Sequence, residues 1–181
     1  MTAISRRSGT RGGLRNLTVR RCTFEGTNIG VNLKSARDRG GLVENLIFED
    51  LTMKRVGEAI VITSYYPLVG PPIYYRPFGN LAALALATGG HDAARPVTDS
   101  TPRWRNIILR RIRATCLWEA GLILGLPEMP VANIIFDDVT IAAPEGLRLN
   151  YARQVTLRAV QITTLHGPPV LAADTVADLR P

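Results

Sequence analysis

The sequence predicts an all-β chain folded as a parallel β-helix, a single-stranded solenoid of about five turns with a long loop inserted at about residues 67–104. Three observations predict it. One pattern of nine residues recurs along the chain, and the apolar residues inside each copy keep strand spacing. A further short apolar run follows each copy at a near-constant distance.

The copies are Asn16-Leu-Thr-Val-Arg-Arg-Cys-Thr-Phe24, Asn45-Leu-Ile-Phe-Glu-Asp-Leu-Thr-Met53, Asn106-Ile-Ile-Leu-Arg-Arg-Ile-Arg-Ala114, Asn133-Ile-Ile-Phe-Asp-Asp-Val-Thr-Ile141 and Gln154-Val-Thr-Leu-Arg-Ala-Val-Gln-Ile162. Their anchor amides lie 29, 61, 27 and 21 residues apart. The long interval is either two turns or one turn carrying an insertion. In the first copy Leu17 and Val19 are two apart, as are Cys22 and Phe24, but the step from Val19 to Cys22 is three. On a straight strand an odd step sends the second pair to the opposite face. A bend at the polar pair Arg20-Arg21 keeps both pairs inward, and the same bend recurs at Glu49-Asp50, Arg110-Arg111 and Asp137-Asp138. Each copy is two short strands around a corner. The anchor amides are expected to stack between turns as a hydrogen-bonded ladder, which makes them structural rather than catalytic.

The strand that follows begins 14 to 16 residues after each anchor. Its expected inward positions are Val31/Leu33, Ile60/Ile62, Leu122/Leu124, Leu147/Leu149 and Val170/Ala172, each set preceded by a small residue (Gly30, Ala59, Gly121, Gly146) where one is present. Three short strands per turn describe a β-helix. A leucine-rich repeat is the rival, and the second half of each unit lacks the helical spacing it needs. Within the insertion, the proline-rich stretch from Pro67 to Pro77 reads as extended loop, Leu81 to Ala87 as a short helix, and Thr98 to Trp104 as the return to the solenoid. A long ordered loop on a repeat scaffold either borders the working face or is a tolerated surface insertion.

Composition bounds what such a chain does. It has 181 residues, 46% hydrophobic and 20% charged, which is not the composition of a disordered chain. No apolar run approaches the roughly 18 residues of a spanning helix, so no membrane is expected among its partners. Cys22 and Cys116 alone make neither a disulfide scaffold nor a four-cysteine zinc site, and His91 and His166 are too far apart for a local metal motif. Cys22 takes an inward slot equivalent to Leu51, Ile112 and Val139, so it reads as a small apolar residue. The whole net charge of +7 comes from residues 1–39, where nine basic side chains face Glu25 and Asp38. That end suits a polyanion, but no nucleic-acid-binding signature accompanies it, and no nucleic acid is expected as a partner. Met1 to Arg11 lacks the apolar core of a secretion signal.

The repeats, together with the segment from Gly41 to Met53, Thr101-Pro-Arg-Trp-Arg-Asn-Ile107 and Gly125-Leu-Pro-Glu128, resemble glycoside hydrolase family 28, the polygalacturonase-like enzymes. The resemblance runs from about Gly12 to about Pro169 and is closest to the C-terminal part of a bacterial member. It implies a right-handed β-helix of the pectin lyase-like type, hydrolysis of pectin-like plant polysaccharide with inversion, an extracellular or periplasmic location, and no cofactor or metal. On this reading residues 1–14 are a basic N-terminal segment and residues 15–181 the C-terminal portion of a larger solenoid.

The family's chemistry needs a carboxylic acid on the glycosidic oxygen and a carboxylate activating water on the opposite face of the sugar. Members carry these in an Asn-Thr-Asp segment and an Asp-Asp pair, followed by His-Gly, and none of the three segments is present. The Asp137-Asp138 pair sits at the repeat's corner and reads as a solvated bend. No catalytic residue is therefore assigned, and the chain alone is expected to be inactive. One implied site remains, the Arg-Ile-Lys strand whose cations hold the uronate carboxylate. Here it reads Gly30-Val-Asn-Leu-Lys-Ser35, so Lys34 matches and Asn32 replaces the arginine, both expected to point outward. Losing a guanidinium fork removes a bidentate contact, which Arg37 and Arg39 in the following turn are placed to replace in part. A family tyrosine falls closest to Glu58, while Tyr65 and Tyr66 are candidates for sugar stacking. The expected partner is an acidic, pectin-like polysaccharide. The alternative is a non-catalytic β-helix module that binds glycan or serves as a structural stalk. Residues 1–14 offer only Ile4 and Leu14 to cover the first turn, so self-association through that end is also expected.

Overall fold

A computed structural model describes residues 2–6, 13–65 and 91–181, and every regular element in them is a β-strand. In chain order these are β1 (Thr2–Arg6), β2 (Leu14–Glu25), β3 (Ile29–Lys34), β4 (Leu42–Thr63), β5 (Arg103–Leu124), β6 (Val131–Ala143), β7 (Glu145–Asn150), β8 (Ala152–Thr164), β9 (Val170–Ala172) and β10 (Ala177–Arg180). All pairings between them are parallel, and they make one unclosed sheet in the order β1-β3-β4-β5-β6-β8-β10, with β2 on β4 and β7 joining β5 to β9. This is the arrangement of a β-helix solenoid. The loop expected from Pro67 to Pro77, the helix expected from Leu81 to Ala87, and Tyr66 lie outside the described residues.

The register resolves the long interval between anchors. β4 pairs directly with β5, Leu46 opposite Ile107, so the chain between them is an insertion within one layer of the stack. The anchor ladder is present as expected: Asn45 Nδ2 donates to Asn16 Oδ1 at 3.0 Å, Asn106 to Asn45 at 2.9 Å and Asn133 to Asn106 at 2.9 Å. The anchors have a second role that the sequence pattern did not reveal. Asn16, Asn45, Asn106, Asn133 and Gln154 all have φ between 53° and 57°. That left-handed conformation costs most residues energy and is tolerated best by glycine and asparagine. The second residue of each corner pair does the same, with φ of 54° at Arg21, 55° at Asp50, 51° at Arg111 and 55° at Asp138. Each copy therefore bends twice, once at the amide and once at the polar pair.

Those bends point both apolar pairs inward. Leu46, Phe48, Leu51 and Met53 of β4 are at most 1% exposed, and Ile107, Leu109 and Ile112 of β5 are fully buried. Each such side chain contributes about 1.5–3 kcal/mol by leaving water, so the stacked rows are the main source of stability. The following strand needs a correction. Val31, Ile60, Gly121 and Leu147 are in register, as are Leu33, Ile62, Ile123 and Leu149. In β5 it is Ile123 that enters the core, while Leu122 and Leu124, expected inside, form a separate cluster on the outer face with Tyr151 and Tyr65. The small residue aligned with Gly30, Ala59 and Gly146 is accordingly Ala120. Three consecutive aliphatic residues, Leu122 to Leu124, read equally well in either register. Close approach decides between them, because a Cβ on Gly121 would lie 2.1 Å from the Ile60 carbonyl oxygen.

The corner charges alternate in sign from strand to strand. Arg20, Glu49, Arg110, Asp137 and Arg158 share one column. Arg110 reaches Glu49 at 2.6 Å, and Arg111 grips Asp50 with both nitrogens at 2.6 and 3.0 Å. Asp138 is paired with Arg113 at 2.7 Å, so the aspartate pair sits at the corner as its position in the repeat implied. Arginine hydrogen bonds hold the Glu49 and Asp50 carboxyls below the usual range.

Candidate glycan-binding face

The strands that follow the corner, β3 and its partners, form a ladder whose outer face carries the candidate site. Two columns run along it. Asn32, Val61, Leu122 and Arg148 make one; Lys34, Thr63, Leu124 and Asn150 make the other. Asn32 and Lys34 alternate with Val31 and Leu33, which lie in the core, so both belong to the outer face. Asn32 is nevertheless 4% exposed, whereas Lys34 is half-buried at the end of its strand.

The middle of this face is roofed. Leu122 and Leu124 are at most 5% exposed and pack with Tyr151 and Tyr65. The chain returning from the insertion is pinned here, because the Asp92 backbone N–H donates to the Tyr151 hydroxyl at 2.6 Å. Tyr65, joined to Ala36 by an antiparallel bridge, donates its hydroxyl to Asp92 Oδ2 at 2.8 Å. Burial first, and then that hydrogen bond, keep the Tyr65 phenol protonated well above its ordinary pKa.

Arg37 binds these parts together. Its Nε meets Glu128 Oε1 at 2.6 Å and its Nη2 meets Glu128 Oε2 at 3.0 Å, a fork-to-fork pairing. The same Nη2 reaches Asp92 Oδ2 at 2.9 Å and the Ala93 carbonyl at 3.3 Å, and the guanidinium lies 5.8 Å from the centre of the Tyr65 ring. Glu128, whose side chain is 4% exposed, is the deepest member. Burial alone would raise the Asp92 and Glu128 carboxyls. Hydrogen bonds from Tyr65 and Arg37 at Asp92, and from Arg37 at Glu128, outweigh it and hold both below the usual range. Arg37 is thus a brace between the turn after β3, the returning insertion and the 126–129 turn. Arg39 lies in the same turn, its N–H bonded to the Ala36 carbonyl at 3.0 Å.

Part of the chain matches a polygalacturonase. The relative is the polygalacturonase of Prunus persica, 40% identical over 55 residues, a match covering 30% of this chain and 14% of the relative. No family model matches the chain, and no solved structure matches it. The match supports a polygalacturonase-like relationship of glycosidase type. Of the residues named from the sequence, Asn32 and Lys34 lie on β3, and Arg37 and Tyr65 meet in the turn that follows it. Tyr66 lies outside the described residues.

Sequence reasoning missed Asp92, Glu128 and Tyr151, which complete the Arg37 network. Asp92 follows the insertion and Glu128 lies in a turn, so no periodicity marks either. Also missed was a column of carboxylates, Glu58, Glu119 and Glu145, in register across β4, β5 and β7. Their recurrence 12 or 13 residues after each anchor was a readable signal. Glu119 is fully buried and lies 3.1 Å from Arg148 Nε, and Arg148 also contacts Glu145. Cys116, on the connecting stretch of β5, has its thiol pushed up to about 12, chiefly by burial, so it is no nucleophile near neutral pH. Among the described residues no three His, Cys, Asp or Glu side chains converge on a metal position.

Proposed function

We propose that this chain is the substrate-gripping stretch of a polygalacturonase-type glycosidase, a right-handed β-helix of family 28 whose whole enzyme hydrolyses pectin-like polysaccharide with inversion outside the cytoplasm. The observation that carries this reading is Lys34 at the C-terminal end of β3, on the outer face beside the part closed over by Tyr65, Tyr151 and Asp92. A polysaccharide lying across the end of β3 meets an ammonium suited to a uronate carboxylate, while Asn32, two residues earlier on the same face, is buried beneath that surface. Arg37 contributes by position, since its fork is engaged by Glu128 and Asp92, and it holds the Tyr65 ring at the rim. Arg39 adds positive charge to the same end. The acid and base of the hydrolysis are not assigned to any residue of this chain.

Calorimetric titration with galacturonate oligomers tests the reading. Binding is expected for the chain, weaker for Lys34→Ala, and weaker for both as salt is added. Equal binding by the variant, or binding by neither form, would overturn the glycan face. Reducing-sugar release from polygalacturonate above a heat-killed control would overturn the assignment of an inactive stretch.

A further inference from the structure

Two compensating bulges between β4 and β5 break the repeat on the side of the solenoid. From Met53 to Val56 β4 takes three steps while β5 takes two, from Ala114 to Cys116, so Lys54 and Arg55 together oppose Thr115. From Val56 to Glu58 the imbalance reverses, and Leu117 and Trp118 together oppose Gly57. A bulge re-aims the side chains of its doubled residues, and such features cluster where a protein makes contact with something else. Arg55 turns with φ of 51°, its N–H donating to Thr115 Oγ at 2.9 Å. Trp118 rests its ring against Gly57, where a Cβ would lie 2.4 Å from Cζ3 and 2.6 Å from Cε3. Layers stand on both sides of these bulges, β2 and β3 on one and β6 and β7 on the other, so the shelf they form belongs to the middle of the stack.

The shelf shows apolar surface and positive charge side by side. Leu117 is 51% exposed, the most open large apolar side chain of β2 to β10, and Trp118 beside it is partly exposed. Lys54 and Arg55 are exposed, and neither makes an ion pair among the described residues, although Glu25 lies in register with Lys54. The acids that follow Gly57 and Trp118, Glu58 and Glu119, are buried at 6% and 0% exposure and present no carboxylate to the surface. We propose that this shelf is a second binding site for an acidic oligosaccharide, on the side of the solenoid and separate from the end of β3. The indole takes the apolar face of a pyranose ring, and the free fork of Arg55 takes a uronate carboxylate, with Lys54 adding charge. The class of polymer rests on the pectin-like reading above, whereas the site itself does not depend on Lys34.

The two tryptophans make a local test possible. Trp104 is 2% exposed with its Nε1 donating to Ser64 Oγ at 2.8 Å, so a change in emission on adding ligand reports Trp118. Titrating the full chain with galacturonate oligomers should shift the emission to shorter wavelength and protect it from acrylamide quenching. The Lys34→Ala chain should respond at the same concentrations, so failure of the β3 site alone leaves this readout standing. A chain carrying Lys54→Gln and Arg55→Asn, the asparagine chosen to suit φ of 51°, should need about tenfold more oligomer, the yield of two exposed ion pairs. Neutral galactose oligomers should need about tenfold more on the unaltered chain. Emission unmoved by galacturonate oligomers, or an equal response to the neutral ones, overturns the proposal whether or not the variants fold. So does a response lost in Lys34→Ala, which would put the oligomer on the other face. A shift that grows with protein concentration alone, matched by a dimer in sedimentation that Trp118→Ala abolishes, overturns it as well by making a second copy the occupant.

Discussion

Replacing Arg37 by alanine should loosen the candidate site before it touches the core. The substitution removes two contacts to Glu128 at 2.6 and 3.0 Å, and one to Asp92 at 2.9 Å, together with the stacking on Tyr65. Breaking a buried ion pair by deleting one partner costs about 3–5 kcal/mol, because the other charge stays behind without compensation. Glu128 at 4% exposure meets that condition, while Arg37 and Asp92 at 18% and 25% keep some access to water. The expected loss is therefore about 2–3 kcal/mol, a large share of a margin of about 5–15 kcal/mol. With a urea dependence of about 2 kcal/mol per molar, the unfolding midpoint should fall by about 1–1.5 M. The effect has a pH signature. Asp92 and Glu128 titrate below their ordinary values when folded, so their contribution is complete above the usual carboxylate range of about 4. It is lost as pH falls through the depressed folded values, because the unfolded chain takes up protons first. The gap between Arg37→Ala and the unaltered chain should therefore narrow on acidification. Arg37→Lys should recover only part of the loss, since a point charge cannot engage both Glu128 oxygens and Asp92 together. A midpoint unchanged at neutral pH, or a gap that stays constant on acidification, would refute the brace.

Two further outcomes follow from the corners and the connecting strand. Asn106 both sustains φ of 57° and bonds to Asn45 and Asn133. Asn106→Ala should cost about 2–3 kcal/mol and Asn106→Gly about half of that, because glycine keeps the left-handed bend and loses only the ladder; equal urea midpoints for the two variants would show that the bend carries no cost. With its thiol pushed up to about 12, Cys116 should resist iodoacetamide under native conditions and label readily in urea, as read by mass spectrometry; rapid native labelling would contradict its burial.

The periodic part of this protein was legible in its sequence. Alternating apolar pairs, the odd step across a polar corner and the recurring amide prescribe a stack of bent parallel strands, since each is a local consequence of which face a side chain must take. The amide ladder was foreseen for the same reason: identical residues at one point of every turn have only each other as neighbours. Composition could not reveal that those amides are left-handed bends, because the pattern records side-chain type and not backbone angle. The register of β5 was equally hidden, for Leu122, Ile123 and Leu124 are interchangeable as hydrophobic residues. The close approach of Gly121 to Ile60 chose which of them faces the core.

The site divides along the same line. Lys34 and Asn32 were placed on the outer face by alternation alone, and Arg37 and Tyr65 were named from their nearness to that strand. What these two residues do was decided only in three dimensions. Glu128 and Asp92 are 91 and 55 residues from Arg37, and Tyr65 is 27 residues from Asp92, so no spacing relates them. A solenoid makes neighbours of residues one turn apart, and periodicity reports those contacts. An insertion folds back according to the charges and rings it happens to meet. The fork of Arg37, which the sequence offered as a hand for substrate, is held by two carboxylates because burial leaves them no better partner.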